Sequence, residues 1–224
     1  MYEIIISGDG SHSLQIKESE ITFHSMYGAI QESQHIFIEA GLRYFKTRNL
    51  SAKTIKIFEA GFGTGLNALL TAIVAPELKT SIEYYSIDLY PLPGSLFLQL
   101  NYADALNAYE LYKTITQAGW NQLVFIAPFF KLNKIHADLT AFSFHDKFDI
   151  IYFDAFAPND QPELWTERMF SKIGEALNPR GVLVTYCSKV SVQKALKNAG
   201  FVIEKPAGPP GKREMIRAIK KVES

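Results

Sequence analysis

Thr54-Ile55-Lys56-Ile57-Phe58-Glu59-Ala60-Gly61-Phe62-Gly63-Thr64-Gly65-Leu66-Asn67 is the stretch that decides the fold. Ile55 to Phe58 is a β-rich run that drives into a turn with glycine at every second position. Leu66, Leu69, Leu70 and Ile73 then fall at helical spacing. Strand, glycine turn and helix together open a nucleotide-binding α/β unit. The spacing is Gly-x-Gly-x-Gly, with Leu66 where a dinucleotide fingerprint carries its third glycine. No Gly-Lys-Ser/Thr follows, which excludes a phosphate-gripping P-loop. A plain tight βα turn would use the same glycines, so the spacing alone leaves that reading open.

The 224 residues suit one large domain, or one domain with a small appendage. With 47% hydrophobic residues the chain can bury a core, and it has no apolar run long enough to span a bilayer. The start, Met1-Tyr2-Glu3-Ile4, lacks the basic and apolar regions of a signal peptide, so none is expected. Cys187 is the single cysteine, which rules out a disulfide within the chain and fits a cytoplasmic setting. Net charge is zero, yet residues 189–224 hold nine Lys/Arg against three Asp/Glu. That basic end suits an anionic partner, or simply a solvated surface.

Read in order, Tyr2, Ile4 and Ile6 alternate, Gly8-Asp9-Gly10-Ser11 turns the chain, and Leu14 and Ile16 resume, which predicts a small hairpin. Residues 17–27 read as irregular, 28–45 as a helix, and Asn49-Leu50-Ser51 as its break. Pro76 is expected to stop the helix after the glycine turn. Further strands are expected at 82–87, 129–135, 148–153, 181–186, 201–204 and 215–219, with helices over 95–120, 163–177 and 190–198. The alternation predicts a mostly parallel seven-stranded sheet with helices on both faces. Residues 1–50 form an N-terminal extension in this reading, and 51–224 the main domain.

Ligands of an open α/β sheet bind at the carboxyl ends of its strands. Four strands deliver an acid there: Glu59, Asp88, Asp138 and Asp154. Like charges gathered on one rim suit a cofactor with a cationic sulfur, an ammonium, a ribose diol and an adenine amine. No acidic pair has a metal-loop spacing, so no metal is expected. The five histidines show no ligand pattern, and Cys187 reads as a small residue closing the fifth strand rather than a nucleophile.

The glycine turn with Glu59 before it resembles motif I of class I S-adenosylmethionine-dependent methyltransferases, a Rossmann-like α/β fold. Asp154-Ala-Phe-Ala-Pro-Asn-Asp-Gln-Pro-Glu-Leu-Trp165-Thr166 is more specific. It resembles the methyltransferase domain of MnmC, the family that makes 5-methylaminomethyl-2-thiouridine in tRNA. The Gly61-Phe62-Gly63-Thr64-Gly65-Leu66-Asn67 loop, Gly211-Lys212-Arg213-Glu214-Met215 and Tyr27 to Phe37 resemble three further family segments. Ala155 stands where the bifunctional members usually carry glycine, and no second dinucleotide motif is present.

The resemblance implies methyl transfer from S-adenosylmethionine to the amine of 5-aminomethyl(-2-thio)uridine at the tRNA wobble position, without FAD and with a separate enzyme supplying the aminomethyl intermediate. It implies Asp154 as the residue that holds the amine and takes its proton. Cofactor contacts are expected from Glu59, Gly61, Phe62, Gly63, Gly65, Asn67, Asp88, Asp138 and Glu32, the last closing over the ligand. Phe156 and Pro158 are expected at the substrate, with Trp165 in the core, and Lys212 and Arg213 on tRNA phosphates. Two other readings stay open: an aminopropyltransferase of the spermidine synthase type, against which the missing Gly-Gly-Gly-Asp-Gly loop argues, and a non-catalytic RNA-binding relative.

Overall fold

The structure is a computed structural model and describes residues 2–221. An antiparallel hairpin, β1 (Tyr2–Ile6) and β2 (His12–Ile16), comes first. A long helix follows: α1 (Ala29–Ser33), a π-helical stretch (Gln34–Arg43) and α2 (Tyr44–Arg48). α1 has no side-chain cap of its own. The hairpin turn supplies one: the Ala29 amide donates to Ser7 Oγ at 3.1 Å, Ile30 to Ser11 Oγ at 3.2 Å, and Gln31 to Asp9 Oδ2 at 2.9 Å. The helix then packs on the sheet, where Gly41 lets it approach closely; a Cβ there would sit 3.1 Å from Val184.

The main sheet comprises β3 (Thr54–Ala60), β4 (Ser81–Asp88), β5 (Leu123–Ala127), β6 (Phe130–His136), β7 (Phe148–Phe153), β8 (Leu177–Thr185), β9 (Phe201–Glu204) and β10 (Ile216–Lys220). Their order is β5-β6-β4-β3-β7-β8-β10-β9, with β5 and β10 antiparallel to their neighbours and the rest parallel. This is the mostly parallel sheet expected, with one strand more: β5, which follows the segment that the sequence predicts as a helix over 95–120. That segment is three short helices, α4 (Gly94–Phe97), α5 (Tyr102–Ala105) and α6 (Tyr109–Gln117), broken where Asn107 turns left-handed at φ 50.

α3 (Leu66–Leu78) follows the glycine turn and contains Pro76, which therefore does not end it; the helix closes at Lys79, φ 48. A 3-10 turn (Pro162–Trp165), α7 (Glu167–Ala176) and α8 (Val190–Asn198) cover the opposite face. Alternation along the strands divides the core. Ile57, Tyr84, Ile150 and Val182 face α3 and the long helix, while Phe58, Ile151, Phe153 and Leu183 face α7 and α8.

Candidate active site

Strand parity assembles the centre. Glu59 pairs with Ser86 on one side and Tyr152 on the other, so the side chains of Glu59, Ser86 and Asp154, two residues beyond Tyr152, share the face that α3 covers. Asn67, in the first turn of α3, meets them there. Its Nδ2 donates to Glu59 Oε1 at 2.9 Å and to Asp154 Oδ2 at 2.8 Å, while Ser86 Oγ donates to Glu59 Oε2. Asn67 Oδ1 is buried without a partner.

The glycine turn explains itself by close approach. Gly61, at φ 95, would push a Cβ to 3.0 Å from the Asp154 carbonyl oxygen. Gly63, at φ 48, would bring one to 3.3 Å from the Phe23 ring. Its amide donates to Asp88 Oδ2 at 3.0 Å, and Tyr90 donates to Asp88 Oδ1 at 2.9 Å, so Asp88 latches the turn. Each of its oxygens keeps a lone pair for a further donor.

A cleft of about 580 Å³ opens over this floor, of a size that holds a nucleoside-bearing ligand. Glu32, Gly61, Phe62, Gly63, Asn67, Asp88, Asp138, Asp154, Phe156 and Lys212 all line it, so the residues named from the sequence largely converge. Four do not line it. Glu59 lies beneath the floor at 1% exposure, Gly65 caps α3 at φ 72, Pro158 stands outside, and Arg213 is exposed on the surface. Lys212 corrects its expectation most clearly. Its Nζ bonds Glu32 Oε2 inside the cleft and lies 4.3 Å from the centre of the Tyr186 ring, rather than reaching outward for phosphate.

Electrostatics follow from burial. Glu59 is pushed up to about 8 by desolvation. Asp154 is raised well above the ordinary carboxylate range, first by burial and then by the Glu59 and Glu32 charges, with Asn67 and Lys212 opposing. A carboxyl so raised is a stronger base once it ionises. His24, bonded through Nε2 to Thr64 Oγ1 at 2.7 Å, is lowered to about 4 by burial.

The roof of the cleft is not evident from the sequence. Phe23 and His24 come from the segment read as irregular, and both line the cleft. Phe23 sits edge-on to Phe156 at 5.0 Å and to Tyr2 at 5.7 Å. Tyr186, whose hydroxyl donates to the Ala155 carbonyl at 2.8 Å, also lines the cleft, where the sequence predicts only a strand end. Nothing local marks these residues; where the hairpin lands places Phe23 and His24, and the end of β8 places Tyr186. Trp165 packs in the core as expected, donating to the Phe156 carbonyl at 2.8 Å.

A family model described as S-adenosyl-L-methionine-dependent methyltransferase matches residues 122–221. The tRNA 5-methylaminomethyl-2-thiouridine biosynthesis bifunctional protein MnmC of Nitrosospira multiformis is 31% identical over 208 residues, 87% of this chain and 33% of that protein. The protein of the same name from Campylobacter hominis is 30% identical, over 84% of this chain and 28% of its own length. The chain thus spans about a third of the length of these relatives. The crystal structure of MNMC2 from Aquifex aeolicus superimposes on all of this chain and 73% of its own, at TM-score 0.79 and 26% identity. Over most of its length the chain is thus similar to one third of the MnmC proteins, and over all of it to MNMC2.

The fold is that of class I methyltransferases, which the S-adenosylmethionine-bound CalS10 structure shares at TM-score 0.53 and 12% identity, a likeness of fold alone. The residues of this MnmC relative fit S-adenosylmethionine. Asp88 and Asp138 offer acceptors along one side of the cleft, and the glycine turn presents backbone without side chains. No helix among the described residues is long and apolar enough to cross a membrane.

Proposed function

We propose that this chain methylates the primary amine of 5-aminomethyl(-2-thio)uridine at the wobble position of tRNA, using S-adenosylmethionine, in the cytoplasm. The relatives are named for the biosynthesis of that nucleoside in tRNA, which supports the substrate. The observation that carries the reading is Asp154, which follows β7 on the cleft floor with its carboxylate oriented by Asn67.

When bound, S-adenosylmethionine supplies a methyl carbon whose bond to sulfur breaks, the pair staying on sulfur, as the amine nitrogen bonds to that carbon. Asp154 accepts the proton the nitrogen must shed. Phe156 and Phe23, ring to ring at the cleft wall, offer the uracil an aromatic surface. Alignment of amine and methyl is the chain's main contribution, a term that reaches about 7–11 kcal/mol in well-oriented reactions. The test is transfer of labelled methyl to tRNA bearing 5-aminomethyl-2-thiouridine. Robust, cofactor-dependent labelling of that nucleoside is expected, and its absence with folded protein overturns the reading.

A further inference from the structure

Glu32 of α1, Asp154 after β7, Tyr186 after β8 and Lys212 before β10 are brought from distant parts of the chain into one corner of the cleft. Lys212 Nζ and Glu32 Oε2 are 2.5 Å apart, with the glutamate side chain 10% exposed and the lysine 28%. The lysine also lies over the Tyr186 ring, which its own hydrogen bond to Ala155 holds in place. The loop bearing Lys212 is tied to the long helix where the His35 ring bonds the Ala207 carbonyl at 2.8 Å. This ion pair is built and partly desolvated, unlike a surface pair.

An amine is a nucleophile only without its extra proton. A corner with net negative charge would hold an incoming amine as ammonium and tie up its lone pair. Glu32 and Asp154 line the corner, Asp160 stands at its rim, and Glu59 lies behind Asn67. Of the residues lining the cleft, only Lys212 and His24 are basic, and His24 is engaged with Thr64. Cys187, beside Tyr186, is buried.

We propose that Lys212 serves to cancel the Glu32 charge, so that the substrate amine rests in the cleft in its neutral, nucleophilic form while Asp154 stays available for the departing proton. Lys212 is thus a positioning charge for the reaction, not a phosphate ligand. The inference rests on the amine-methylating function proposed above.

The experiment is a pH series of kcat, which reports ionisations of the bound complex, at saturating cofactor and saturating tRNA bearing 5-aminomethyl-2-thiouridine. Lys212→Gln should move the rising limb about one pH unit or more to alkaline and lose about tenfold at neutral pH. Lys212→Arg should keep the wild-type limb. Glu32→Gln should move it to acid, and Glu32→Gln with Lys212→Gln should return it toward wild type. The double variant leaves no unpaired charge, so with Glu32→Gln it decides the matter should Lys212→Gln misfold. Loss of rate by the same factor at every pH, or a Glu32→Gln limb that stays in place or moves to alkaline, overturns the proposal. So does a double variant that lies away from wild type. Transfer by wild type with unmoved limbs removes the Lys212 role alone. No transfer by wild type removes the function and this role with it.

Discussion

Asn67 donates its side-chain amide to Asp154 Oδ2 at 2.8 Å, joining the start of α3 to the end of β7. The same nitrogen reaches Glu59, so one amide holds two carboxyl groups that would otherwise repel. Asp154→Asn keeps an oxygen for Asn67 while removing the charge. Methyl transfer should fall by about 10²–10⁴, the scale of a lost general base, and the melting temperature should hold. Raising the pH should recover part of the rate, because more amine is then neutral. A variant that matches wild type at every pH would take Asp154 out of the reaction.

Glu59 gives a stability prediction. Its pKa in the folded protein is about 8 against 4.5 as an ordinary carboxyl, so the folded chain binds the extra proton between those values. Its contribution is then fully present below about pH 4.5 and is lost as pH rises toward 8, each pKa unit being worth about 1.4 kcal/mol. Glu59→Gln removes that titration. The difference in unfolding free energy between variant and wild type should move in favour of the variant from pH 5 to pH 8. Urea titrations at both pH values check it, and a constant difference contradicts it.

Gly63→Val should abolish binding of S-adenosylhomocysteine. A β-branched residue strains at φ 48, and its Cβ would press on Phe23 at the roof of the cleft. Calorimetry reads the heat of binding, and wild-type affinity in the variant would show that the turn does not contact the ligand.

Arg213 is the exposed member of the basic pair near the C-terminus, its neighbour being engaged with Glu32. Arg213→Ala should weaken tRNA binding at all sequences and lower the slope of log affinity against log salt by about 0.7–0.9, the value of one phosphate contact. Filter binding across a salt series measures it. An unchanged slope means that Arg213 does not meet the backbone.

Much of the centre was legible because strand parity is local. Once Glu59, Asp88 and Asp154 are placed at strand ends, a parallel sheet puts them on one rim. The glycine turn was equally readable, since Gly61 and Gly63 both adopt positive φ. What the sequence hid depends on distant placement. Phe23 becomes a wall only because the hairpin folds over the glycine turn. Lys212 turns inward because Glu32, 180 positions earlier, waits there. Pro76 sits two residues before the helix end and gives up one bond of the ladder without ending the helix.

The capping of α1 by the hairpin turn reaches as far as the cleft. Three amides of the first helical turn depend on Ser7, Asp9 and Ser11 for their partners. Displacing the hairpin turn would therefore leave those amides without partners at the head of the helix. Glu32 stands in the same short helix, so the hairpin turn and the Lys212 ion pair at the cleft are joined through the backbone of a single helical turn.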